Sequence, residues 1–326
     1  MTTHKRQKGF NLIELMVAMV IGIFLVAGAL RVYTQSQAAL VVSEQSARLQ
    51  ENARYALQFI ERDVRAADLW GLTNESLQIT GSADATLPVD PLTANTGDCE
   101  DNWSININVA IEGANNSNPY PNTCIPSTRF VANSDVLVVR HAESNPIDEI
   151  DLENGVLYIR SSNNNGILFE GPNQPTGIAA DGINSKLSTA VYWVSNASDH
   201  DASIPSLRRS YLSTNGNDPI VVSEEVISGV EDLQIQYGVD TTDDQSVNMY
   251  VDYDDVADPD TILVARVWLR VRAERTEVGY TEDVTYTYAD RSYNSTDSGD
   301  SDEPRYRRLL VTKTIEMRNR RSVTSL

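Results

Sequence analysis

Apolar positions fall into two regimes along the chain, and the change between them comes near Gly71. From Phe10 to Leu30 (FNLIELMVAMVIGIFLVAGAL) a single charge, Glu14, interrupts 21 residues. A helix of that length rises about 30 Å, the thickness of a hydrocarbon core. Beyond Leu30 no Pro occurs before Pro88 and no Gly between Gly28 and Gly71. Leu49, Ala53, Ala56, Ile60, Val64 and Ala67 recur every three or four residues, with Arg48, Glu51, Arg54, Glu61, Arg62 and Arg65 on other faces. The pattern predicts one helix from about Phe10 to Leu69, stopped at Gly71, rather than an anchor and a separate helix. Its transmembrane half covers 10–30 and its amphipathic half 31–70.

From Gly71 the period becomes that of a sheet. Residues 72–132 are rich in Asn, Thr, Ser, Gly and Pro and read as long loops with short strands. Strands are expected at Asp135 to Arg140, Val156 to Arg160, Ile167 to Glu170, Ala190 to Ser195, Leu207 to Leu212 and Ile220 to Ser223. In Ile262 to Ala273, Leu263, Ala265, Val267, Leu269 and Val271 make an apolar face, while Arg266, Trp268, Arg270 and Arg272 share the other. Leu309, Val311, Ile315 and Met317 repeat the alternation. Ala289 to Glu303 (ADRSYNSTDSGDSDE) has no apolar period and reads as a mobile loop. The class is α+β: a long N-terminal helix packed on a mostly antiparallel head spanning 71–326.

Charge sets the orientation and narrows the chemistry. Lys5, Arg6 and Lys8 precede the apolar run without an acid, so residues 1–9 belong in the cytoplasm and everything after Leu30 across the membrane. A cleaved secretory signal wants a shorter core and a small-x-small exit, which Ala27-Gly28-Ala29-Leu30-Arg31 matches only loosely. Lys plus Arg is 26 against 46 Asp plus Glu, a net charge of −20 that argues against binding a phosphate backbone. Three His and two Cys leave little for a transition-metal site. The arginine-bearing sheet face reads as arginines meeting surplus acids, in preference to a patch for acidic polymers.

Glu14 is costly in hydrocarbon without a cation, and its own segment supplies none. Lys8-Gly9-Phe10-Asn11-Leu12-Ile13-Glu14-Leu15 resembles the class III signal of type IV pilins: a basic leader, Gly, an aromatic, then Glu. The resemblance implies that a membrane prepilin peptidase removes residues 1–9 by cutting between Gly9 and Phe10, and methylates the new Phe10 amino group. The α-ammonium so made is the missing partner: a neighbouring subunit can bring it to Glu14 in low dielectric.

Val226 to Asp240 (VISGVEDLQIQYGVD) closely resembles a segment of PilW-type minor pilins, in which a short turn or helix leads into a strand ending Tyr-Gly-Val-Asp. Arg307-Arg308-Leu309 to Arg318-Asn319 is similar to that group too, as is Gln50-Glu51-Asn52-Ala53-Arg54 to Trp70-Gly71. The resemblance covers both ends of the chain and not 72–219. It implies a type IV pilin-like fold and a non-enzymatic subunit that helps initiate a pilus and sits at its tip or in low copy. Twitching motility, adhesion or DNA uptake would follow. The expected partners are other minor pilins, the major pilin, the prepilin peptidase and the assembly platform, in a Gram-negative inner membrane. Pseudopilin J of type II secretion is the nearest alternative. The absence of a Pro near Arg31 and the early position of both Cys argue against a major subunit.

Cys99 and Cys124, the two Cys of the chain, lie on the non-cytoplasmic side, where a disulfide between them is the economical reading. Asp240, Asp243 and Asp244 open an acidic run that could hold calcium but lacks the EF-hand glycine and closing Glu, so a solvated loop is preferred; no other cofactor is expected. Asp199-His200-Asp201 sits in a polar stretch. A membrane-anchored enzyme is the second class of reading, and it would need a pocket around His200.

Overall fold

The computed structural model describes Gly9 and residues 11–81, 98–301 and 303–320. Helix α1 runs unbroken from Leu12 to Ala66, and the chain divides into two compact units, 1–48 and 49–326, with α1 passing from one into the other. The helix ends three residues before Leu69, its expected last residue. Asp68, not Gly71, is the first residue in the left-handed region (φ 66°), and its carboxylate accepts the Trp70 indole N–H at 3.1 Å, which holds the turn.

In the first unit the helix stands without neighbours among the described residues. Its large apolar side chains from Leu12 to Leu30 are between 52% and 75% exposed, and the segment is long and apolar enough to cross a membrane.

In the second unit Leu49, Ala53, Ala56, Leu57, Ile60, Val64 and Ala67 are buried. The small Ala53 and Ala56 admit the helix close to the sheets beneath. A four-stranded antiparallel sheet has the order β10-β9-β11-β14, where β9 is Val230–Val239, β10 Met249–Val251, β11 Ile262–Arg272 and β14 Arg308–Glu316. It faces the helix with Leu233, Ile235, Tyr237, Ala265, Val267, Leu269, Val271 and Ile315. Register shifts by one residue between Ile262 and Val264, so Ile262 is fully buried and Leu263, expected on the apolar face, is only half-buried.

A larger sheet of eight strands is antiparallel except for its short edge strand β1 (Ile79–Thr80), which runs parallel to β5 (Gly166–Glu170). The long β6 (Ile183–Ser195) is its spine, flanked by β3 (Val136–Ala142), β4 (Leu157–Ser161) and β7 (Ser206–Thr214). β2 (Ile111–Ala114) pairs with β3, and β8 (Pro219–Ser228) pairs with β7. Leu137, Val139, Ala190, Tyr192, Val194 and Leu207 share one core with α1 and the four-stranded sheet. Trp103, Tyr120, Ile125, Val138, Val191 and Trp193 make another core with the loops around the disulfide.

One expected loop is built structure. Thr285–Tyr288 (β12) and Arg291–Asn294 (β13) pair as an antiparallel hairpin, whose second strand lies inside the stretch read as mobile. Its tyrosines pack on arginines instead of an apolar core, so no hydrophobic alternation marks it in the sequence.

Candidate assembly interface

Glu14 lies on the first turn of α1, exposed among apolar side chains that are themselves exposed. Among the described residues no cation lies within ion-pair distance of it. Gly22 and Gly28 have open space where a Cβ would stand, and a shallow apolar groove runs past Met19, Gly22, Ile23, Val26, Ala27 and Leu30. Such a surface is stable only in lipid or against other apolar helices. Gly9 is described and exposed, whereas Phe10, read as the cleaved and methylated position, lies outside the described residues, as do residues 1–8 of the leader.

The head end of the helix is fixed by polar groups. Asp63 is 2% exposed and accepts a hydrogen bond from the Tyr192 hydroxyl at 2.5 Å, while Arg62 Nε reaches its other oxygen at 3.3 Å. Burial pushes its carboxyl up, but His141, Arg209 and the Tyr192 hydroxyl outweigh burial and hold it down at about 2. Asp135, at the start of β3, accepts N–H groups of Asn116 at 2.9 Å and Ile235 at 2.7 Å and so ties the two sheets together. Here burial wins, and the Asp135 carboxyl rises to about 7.

The arginine face of β11 is internal at its Arg270 and Arg272 end, while Arg266 and Trp268 are half-buried. Glu231 and Asp232 of β9 meet Arg270: Glu231 Oε2 accepts from Arg270 Nε at 3.0 Å, and Arg270 Nη1 donates to the Tyr288 hydroxyl, which in turn donates to Asp232 at 2.6 Å. The Arg270 guanidinium lies 3.5 Å from the centre of the Tyr293 ring, and that of Arg272 lies 4.1 Å from Tyr306. Arg308 on β14 completes the cluster through Glu231 and Glu303. The β12–β13 hairpin therefore roofs a buried ion network. The acid partners Glu231 and Asp232 lay within the segment singled out in the sequence, but nothing in their spacing distinguished them from the other acids.

The remaining expected groups separate. Cys99 and Cys124 are disulfide-bonded, their Cα atoms 5.0 Å apart. Asp240 turns its carboxylate to the N–H groups of Thr242 and Gln245, at 2.9 and 2.6 Å. With Asp243 and Asp244 it makes no ligand group, since among the described residues no three His, Cys, Asp or Glu converge on a metal position. Ser198 Oγ lies 2.6 Å from His200 Nδ1 and 2.9 Å from Glu225 Oε1, and Asp199 takes Arg208 at 2.6 Å. Ser198 is buried while the His200 side chain is exposed, so these contacts pin the loop to β7 and β8.

Residues 191–319 match the model of the type IV pilus-assembly protein W family, and residues 4–30 match the prokaryotic N-terminal methylation motif. Both matches are consistent with a PilW-type prepilin-like protein. No curated protein and no solved structure matches it. The PilW match contains the four-stranded sheet, the hairpin and the ion network, together with β7, β8 and the end of β6. The methylation motif contains Glu14 and the exposed apolar run. A membrane-anchored, pilus-related minor pilin with an α+β pilin-like architecture accounts for both matches, and the domains of that family are structural.

Proposed function

We propose that this chain is a low-copy minor pilin that helps initiate assembly of a type IV pilus and remains at its tip or rare along its length. Before assembly it is held in a Gram-negative inner membrane with residues 1–9 cytoplasmic and the head across the membrane. Cleavage after Gly9 and methylation of Phe10 then prepare it for the filament. The observation that carries the reading is the bare apolar half of α1 with Glu14 as its lone charge. A carboxylate so placed is stabilised by the α-ammonium of an adjoining subunit. Other minor pilins, the major pilin, the prepilin peptidase and the assembly platform are its partners in this reading. The match over 191–319 favours a pilus over the pseudopilus of type II secretion.

Charge supports low copy. Residues 71–326 hold 18 Lys and Arg against 40 Asp and Glu, a net of −22. Repetition along a filament would bring such heads within a Debye length of about 8 Å. Sheared filaments and surface piliation test the role. A small ratio of this chain to major pilin, with piliation lost on deletion, is expected. A ratio near unity, or normal piliation in the deletion strain, overturns it.

A further inference from the structure

Strand β14 ends the four-stranded sheet, with β11 on one side and no strand on the other. Met317 N donates to Leu263 O at 3.0 Å and Ala273 N to Arg307 O at 2.8 Å, one bond at each end of the β11–β14 ladder. Alternate residues of an antiparallel strand bond to one neighbour. The register does not shift in between, so Leu309, Val311, Lys313 and Ile315 bond β11, and the backbone of Arg308, Leu310, Thr312 and Thr314 turns outward. Arg308 bears this out: its N–H donates to Glu282 Oε2 at 3.3 Å and its carbonyl accepts from the Tyr286 hydroxyl at 3.4 Å, both outside the sheet. The backbone groups of Leu310, Thr312 and Thr314 meet no such partner among the described residues.

Sheet edges are usually closed to pairing by shortness, Pro, bulges or projecting charge. The other strands that end the two larger sheets show these devices. β1, β2 and β10 have two, four and three residues, while the longer β8 begins at Pro219, carries Glu224 and Glu225 near its centre and is bulged against β7. β14 shows none of them on its open side. It has nine residues without Pro or Gly, Thr312 and Thr314 are exposed, and Leu310 is half-buried. Lys313 does not guard the edge, since its ammonium lies on the helix side, paired with Glu61.

We propose that this edge takes an extended segment of a different chain as an added strand, paired to Leu310, Thr312 and Thr314; the choice of partner rests on the reading of this chain as a membrane-anchored pilus subunit. Free main-chain groups along a straight edge are recognised by the main chain of another extended segment, and the side chains beside them set its pattern. Toward the helix its side chains lie beside Leu309 and Val311, which are half-buried and packed on the core, and on the opposite face they lie beside Leu310 and the two threonines. The segment is therefore apolar on the first side and polar or β-branched on the second. A second copy of this chain is excluded by direction. Antiparallel pairing of β14 with itself puts a two-fold axis through the join, normal to the sheet. Residues 49–66 of α1 pack along that sheet, so the axis points the two helices in opposite directions, whereas copies inserted in one membrane run the same way.

The test is made in cells on the full chain. Photo-reactive benzoylphenylalanine replaces Leu310, and separately Thr314, and the cross-linked peptides are identified by mass spectrometry. Cross-links from both positions into one segment of a different chain, their targets about four residues apart, are expected, because two paired strands advance in step. Cross-links into separate segments, into β14 of a second copy or into residues 321–326 of the same chain, or no cross-link at all, overturn the proposal. Thr312→Pro removes an outward N–H and leaves the bonds to β11 in place. It should lower surface piliation about tenfold, with the level and cleavage of the chain unchanged, while Thr312→Val assembles like the parent. Normal piliation by Thr312→Pro, with none in a deletion strain, overturns the proposal and leaves the minor-pilin reading standing. Normal piliation in the deletion strain overturns that reading instead; there, and where the Pro variant does not accumulate, the paired cross-links decide.

Discussion

Arg308 meets Glu231 face on: Nε and Nη2 of the arginine donate to the two carboxylate oxygens at 2.9 and 3.0 Å, across 77 residues of sequence, in a pair almost wholly out of water. Arg270 shares the same carboxylate at 3.0 Å, and Arg272 stands 3.7 Å from it. Glu231 is thus shared by three guanidinium groups from adjacent strands of one sheet, with Asp232 and Glu303 beside them. Glu231→Gln should cost about 3–5 kcal/mol, the usual penalty for stranding buried charge. Urea unfolding of the purified chain measures it, and a loss below about 1 kcal/mol would mean that water reaches the cluster.

Asp63 makes stability fall in acid. Its folded carboxyl titrates at about 2 against an ordinary 3.8, so its contribution is complete above pH 4 and is lost as pH falls through 2. The difference amounts to about 2 kcal/mol. Asp63→Asn should be less stable than the parent at pH 6, with the gap closing between pH 4 and pH 2.

Asp135 acts in the opposite sense. Its carboxyl is raised to about 7, and that of Asp68, also through burial, to about 6. The folded chain therefore holds protons that the unfolded chain releases, and stability declines as pH rises from about 4 to 7. Thermal unfolding should show a higher midpoint at pH 5 than at pH 8. Asp135→Asn should flatten that slope; an unchanged slope would place its origin elsewhere.

The disulfide closes a loop with a sequence separation of 25. Cys99→Ser with Cys124→Ser should cost about 3 kcal/mol through the entropy returned to the unfolded chain. Thiol labelling of the untreated protein under denaturing conditions should find no free Cys.

Two substitutions separate processing from assembly. Glu14→Ala should insert and be cleaved yet fail to enter filaments, because the ammonium of its neighbour finds no partner. Gly9→Ala should be cleaved poorly and larger residues at that position not at all, since the peptidase must approach the backbone where a Cβ would stand. Mass spectrometry of filament material should give Phe10 as the first residue, and any other start removes the basis of the reading.

The helix and the strong strands were legible because they obey hydrophobic periods: Leu49 to Ala67 at three and four, Ala265 to Val271 at two. Where polarity itself is buried the periods fail. Tyr288 and Tyr293 pack under guanidinium groups, so Arg291–Asn294 reads as loop; Glu231 and Asp232 look like surface acids until Arg270 and Arg308 are seen opposite them. Residues 82–97, within the loop-rich stretch, lie outside the described residues.

Lys313 on β14 pairs with Glu61 on α1 from 252 positions further along the chain, and the Asn319 amide donates to the carbonyls of Ala66 and Ala67 at 3.3 and 3.0 Å. At a synthesis rate of roughly 5–20 residues per second, on the order of ten to fifty seconds pass between the making of those two partners. Throughout that interval the apolar stripe of the helix waits without its last strand. A chain cut short anywhere before β14 should therefore leave that stripe permanently open and be digested faster by added protease than the full chain.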